Sequence, residues 1–124
     1  MFRTRNLIAA ACLAGAALPA VAQNLHVNDA AYVGIARCQG LIDSNDLQPQ
    51  VDPTGINRFM DLQKAGRTSN VLDRADARRT DALRSAATAN PDQKASLIAE
   101  RDGVCAHWAD IGANAPHSSL TGGN

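Results

Sequence analysis

Between residues 29 and 43 the apolar positions Ala31, Ile35, Cys38 and Ile42 recur at spacings of four, three and four, which places them on one face of a helix. Asn28 precedes them as an N-cap, a side chain whose oxygen accepts one of the first-turn N–H groups that the helix itself leaves unpaired. Cys38 therefore faces inward. Residues 44–55, "SNDLQPQVDPTG", carry two prolines among several turn formers and read as a connector. Beyond them Ile56, Phe59, Met60 and Gln63 mark a short second helix expected to end at or near Gly66. The pattern alone leaves open whether "GRTSN" breaks the chain or only kinks it.

A third helix is expected over residues 70–89. Its best stripes are Leu72, Ala75, Arg79, Leu83, Ala86 and Val71, Ala75, Arg78, Ala82, Ala86. Both are mostly alanine and both contain an arginine, so the hydrophobic anchoring is thin. The charges of "LDRADARRTDALR" read as a solvated face, with Asp76 and Arg79, and Asp81 and Arg84, three positions apart; each such pair is worth only about 0.2–0.5 kcal/mol. The fourth helix has the strongest start signal. Asn90 is a cap, Pro91 sits at the first helical position and Gln93 completes an approximate capping box. It is expected to run to about Ile111 on a core stripe of Leu97, Val104, Trp108 and Ile111, with Ile98 and Cys105 alongside and Gly112 as a stop. Residues 113–124 read as a disordered tail. The sequence shows no internal repeat and no alternating strand pattern, so the fold class is all-α: a small bundle of three to four helices at residues 23–112.

The first 22 residues have a different character. Arg3 and Arg5 open them, an apolar run from Leu7 to Leu18 comes next, and "AVA" closes them in the small-x-small manner of a cleaved signal peptide. The run is too short, and too interrupted by Gly15 and Pro19, for a span that needs about 20 apolar residues, so no stable membrane anchor is expected after cleavage. Lipidation at Cys12 is disfavoured because almost no apolar core precedes it. The expected location is periplasmic or secreted.

Removing these 22 of 124 residues leaves 102, enough for one domain with a modest core. The precursor balances 12 basic against 12 acidic residues. Losing Arg3 and Arg5 tips the remainder slightly acidic, which speaks against nucleic acid as a partner, since phosphate binding needs a clustered cationic excess. Only Tyr32, Phe59 and Trp108 supply aromatic bulk after cleavage. A thin core in an exported domain is where a covalent cross-link matters most, and Cys38 and Cys105 are the two cysteines left to form one. If the first and last helices pack side by side, closing that long loop would remove unfolded-state entropy worth roughly 4 kcal/mol.

Chemistry is harder to find. The two cysteines lie among Ile, Leu, Val and Trp, unlike the electropositive, exposed setting of a reactive dithiol. "CAH" at Cys105 to His107 offers too few ligands, pointing apart on a helix, for zinc. His26, His107 and His117 are scattered. Glu100 is the only glutamate and the aspartates are spread, so no catalytic pair stands out. Neither a phosphate loop, a nucleophile elbow nor "HExxH" is present, and no family motif is recognisable. No cofactor or metal is expected. The leading reading is a non-catalytic protein-binding module whose partner is another envelope or secreted protein, with Ile56, Phe59 and Met60 as a possible partner face. The alternative is a small envelope hydrolase, or a redox or metal-binding protein, using aspartate, His107 or the cysteines.

Overall fold

A computed structural model describes residues 25–115, and within them every regular element is a helix. Helix α1 is Asp29–Asp43, α2 Thr54–Lys64, α3 Ser69–Thr88, α4 Pro91–Glu100 and α5 Ala106–Ala113, with a π-helical turn at Arg101–Cys105 joining the last two. The segment expected to be a signal peptide, residues 1–22, lies outside the described residues, as does the chain from residue 116 onward.

Local chemistry starts and stops these helices. The Asn28 side chain accepts from Ala31 N at 2.8 Å, and Thr68 Oγ1 accepts from Val71 N at 3.3 Å. At Asn90 both halves of the capping box close, with Gln93 N donating to Asn90 Oδ1 and Asn90 N donating to Gln93 Oε1. Gly66 takes a φ of +81°, a left-handed value that costs glycine nothing, so "GRTSN" is a true break between α2 and α3.

Helix α1 lies at the centre, buried on more than one side: Tyr32, Val33, Ile35, Ala36, Cys38, Leu41 and Ile42 all belong to the core. It packs mainly against α3, while α2 packs against α5. Both contacts are glycine crossings. A β-carbon at Gly40 would overlap the Arg79 carbonyl oxygen and lie 2.8 Å from the Ala82 methyl; one at Gly112 would run into the Gly55 carbonyl and lie 2.8 Å from Phe59 N. Close backbone approach thus supplies dispersion contacts that a chain poor in aromatics cannot obtain from large side chains. The alanine stripe of α3 is used in this way, with Val71, Ala75, Ala82 and Ala86 buried. Arg78 on that stripe is exposed, while Arg79 crosses to Asp43 of α1 at 2.7 Å instead of pairing with Asp76. Asp81 and Arg84 do pair along the helix, at 2.9 Å.

The last helix differs most from its sequence pattern. The π turn takes up one extra residue, and α5 beyond it is rotated by about 100° relative to an uninterrupted α-helix. Leu97 and Val104, seven apart, would share a face in a straight helix; here Val104 is 56% exposed and Arg101 is buried. Gly112 does not stop the helix either, because it is needed inside α5 at the crossing with Gly55. The fold also runs past residue 112. Ala113 belongs to α5, Ala115 is buried, and Arg58 of α2 donates to both of their carbonyl oxygens, at 3.3 and 2.6 Å.

The disulfide joins Cys38 of α1 to Cys105 at the end of the π turn, with the two Cα atoms 5.2 Å apart. Beside it Arg37 forms a two-pronged ion pair with Glu100, at 2.7 and 2.9 Å; that hydrogen-bonded partner holds the guanidinium pKa above its ordinary value.

Candidate functional site

A groove of about 300 Å³ opens between α1, α2 and α3. Helix α1 contributes Tyr32, Ala36 and Gln39. From α2 come Met60, Asp61 and Lys64, and from α3 Leu72, Ala75, Asp76 and Arg79. Helical spacing explains the distribution: on α2, Met60 turns to the core while Asp61, next in sequence, reaches the rim, and on α3 the buried Ala75 adjoins the exposed Asp76. The groove therefore has an apolar floor between charged walls.

Tyr32 is the polar group set into that floor. Only 5% of the residue is exposed, and among the described residues its hydroxyl has no hydrogen-bond partner. The Arg67 guanidinium stacks over one face of its ring, 4.5 Å from the centroid. Burial pushes the phenol above its usual pKa of 10.0; Arg67 opposes this and the carboxylate of Asp61 adds to it. The hydroxyl is thus protonated at neutral pH.

Arg67 is itself held from several sides. It donates to the Gln63 carbonyl oxygen, to Asp29 and to the Val27 carbonyl oxygen, each at 2.7 Å. The buried Gln63 accepts from Val27 N at 2.9 Å and donates to the Leu25 carbonyl oxygen at 2.7 Å. These bonds fasten the extended segment before α1 onto α2, and through Arg67 they fix the Tyr32 ring. Arg101 plays a similar part at the other end, donating to the Leu47 carbonyl oxygen at 3.0 Å and so tying the connector after α1 to the π turn.

Of the residues proposed as a partner face, Ile56 and Phe59 are fully buried in the core and Met60 nearly so. Phe59 packs against Trp108 with ring centroids 5.3 Å apart. Their spacing marks the inner face of α2, and only Met60 reaches the floor of the groove. Sequence reasoning singled out Asp76 and Arg79 as a surface pair and missed Tyr32, Asp61 and Lys64, whose shared feature is the groove and not a spacing. His26 and His107 are exposed, with His107 edge-on to Trp108 at 4.9 Å; His117 lies outside the described residues.

Both disulfide sulfurs belong to buried residues. Thiol–disulfide exchange needs a thiolate to reach one of them, so the pair acts as a staple of the fold. Such a staple fits a protein that folds outside the cytoplasm. Among the described residues no helix is long and apolar enough to cross a membrane, and no group of three or more His, Cys, Asp or Glu is placed to hold a metal ion. No family model matches the chain, and neither a curated protein nor a solved structure does.

Proposed function

We propose that the chain is a periplasmic or secreted, non-catalytic binding module, and that the groove between α1, α2 and α3 is where a segment of a partner protein docks. The observation that carries this reading is Tyr32: its ring is buried at the base of an open, apolar-floored groove, and its hydroxyl, open to solvent, makes no hydrogen bond to the described residues. A hydroxyl held in place by a buried ring but bonded only by solvent is where a ligand donor can take the place of water. The size of the groove points the same way. At about 300 Å³ it stands at the bottom of the range of roughly 300–1,000 Å³ that encloses whole small molecules, which suits one or two side chains of a larger partner.

The test is capture of the partner from an envelope extract by the purified protein, repeated with Leu72→Arg, which places a bulky charge on the half-buried wall of the groove. Leu72→Arg is expected to abolish capture while the melting temperature stays close to that of the parent. His107→Ala, outside the groove, is expected to leave capture unchanged. Capture that survives Leu72→Arg, or that is lost with His107→Ala, would overturn the assignment.

A further inference from the structure

We infer that the groove receives a lysine or arginine side chain carried on the partner polypeptide, bound by Asp61, Asp76 and the Tyr32 hydroxyl; this rests on the docking reading above and names the chemistry of the occupant.

The charges of the groove decide its sign. Arg79 is already matched, donating to Asp43 through two nitrogens at 2.7 and 3.1 Å. Among the described residues no ion pair engages Asp61, Asp76 or Lys64, so two carboxylates from different helices stand against one ammonium. An anionic ligand would meet both carboxylates. A wholly apolar one would desolvate them and still leave the hydroxyl unpaired, which costs free energy without return. A cation on a hydrocarbon stem meets every feature: its methylenes cover Ala36, Met60, Leu72 and Ala75, while its N–H groups donate to the carboxylates and to the phenol oxygen. The Tyr32 ring is not the attractant, because Arg67 already occupies one of its faces. What remains for the ligand is the oxygen.

The rim positions Asp61 and Asp76 are exposed, so they can be changed without disturbing the core. The experiment tracks amide chemical shifts of the 15N-labelled, oxidised protein during titration with acetyl-Gly-Xaa-Gly-amide, where Xaa is arginine, lysine, norleucine or glutamate, and with putrescine. The arginine and lysine peptides are expected to shift the amides of Asp61, Leu72 and Asp76, and to bind less well as salt is raised. Asp61→Asn with Asp76→Asn is expected to weaken that binding about fivefold or more, and Tyr32→Phe to weaken it while the melting temperature holds. If norleucine shifts the same amides as strongly as arginine, the cation assignment fails but docking in the groove stands. If none of the four peptides moves groove amides, the assignment also fails, and whether Leu72→Arg still abolishes partner capture says if the docking reading falls with it. Putrescine binding as tightly as the arginine peptide would overturn the polypeptide as the source of the cation.

Discussion

Two glycine crossings hold this molecule together, and they are secured differently. Where α2 meets α5, backbone lies against backbone at Gly55 and Gly112, Phe59 stacks on Trp108, and Arg58 clasps the end of α5. The same helical stretch is then bonded covalently to α1 through Cys105. Where α1 meets α3, the approach at Gly40 is also close, but behind it stand mainly alanines, with Val71, the half-buried Leu72 and the ion pair between Arg79 and Asp43. Small residues let two helices touch. They bury little area per residue, though, so the α1–α3 contact depends on fit where the α2–α5 contact also has bulk and a covalent tether.

The largest expected effect tests that tether. Replacing Cys38 and Cys105 with alanine is expected to cost about 2–5 kcal/mol, read as a sharp fall in melting temperature. Cys38→Ala alone is expected to be similarly destabilising and to yield covalent dimers through Cys105. Two thiols that both react in the native, unreduced protein would remove the staple from the comparison.

Next come the crossings themselves. Gly112→Ala and Gly40→Ala are each expected to destabilise by about 1–3 kcal/mol, with Gly112→Ala the worse. At Gly112 the three nearest atoms to the new methyl are all backbone, in a helix pinned at Cys105, whereas at Gly40 one of them is the Ala82 methyl and α3 has no covalent link to α1. Equal denaturation midpoints for the two variants would show the crossings to be equally rigid. Native-state hydrogen exchange reads the same contrast without a substitution. The amides of α3 are expected to exchange faster than those of α1 and α5, because its buried face is mostly alanine and no covalent bond ties it to α1. Uniform protection would mean that the alanine contact anchors as firmly as the aromatic one.

The smallest effect is spectroscopic and lies where α1 and α3 flank the groove. The chain has a single tyrosine, so the ultraviolet signal of tyrosinate reports Tyr32 alone. Its midpoint in the folded protein is expected above 10.0, and Asp61→Asn is expected to bring it down. A folded-state pKa above the unfolded one gives stability that is complete below the unfolded value and is lost as pH rises through the folded midpoint. A midpoint at or below the value found in denaturant would contradict the burial of the phenol.

The starts and stops of the helices could be read in the sequence because they are short-range chemistry. Asn28 and Asn90 bond to N–H groups three residues away, and Gly66 needs only its own φ. The partner of Cys38 was legible too, since one other cysteine remained after residue 22 and both lay on apolar faces. The groove was legible only in fragments: Met60 stood out as apolar and Asp76 as charged, while nothing local distinguished Tyr32 from any other core aromatic.

What the tertiary structure alone decided are the interactions between residues far apart in sequence. Arg101 meets Leu47 across 54 positions and Arg67 meets Val27 across 40. Periodicity says which side chains share a face of one helix, and it is blind to what another element presents to that face. A straight helix would have turned Val104 inward. The demand to place Cys105 beside Cys38, Arg101 beside the Leu47 carbonyl and Gly112 against Gly55 instead favours a π turn, and with it an exposed valine and a buried arginine that the hydrophobic pattern of the last helix does not indicate.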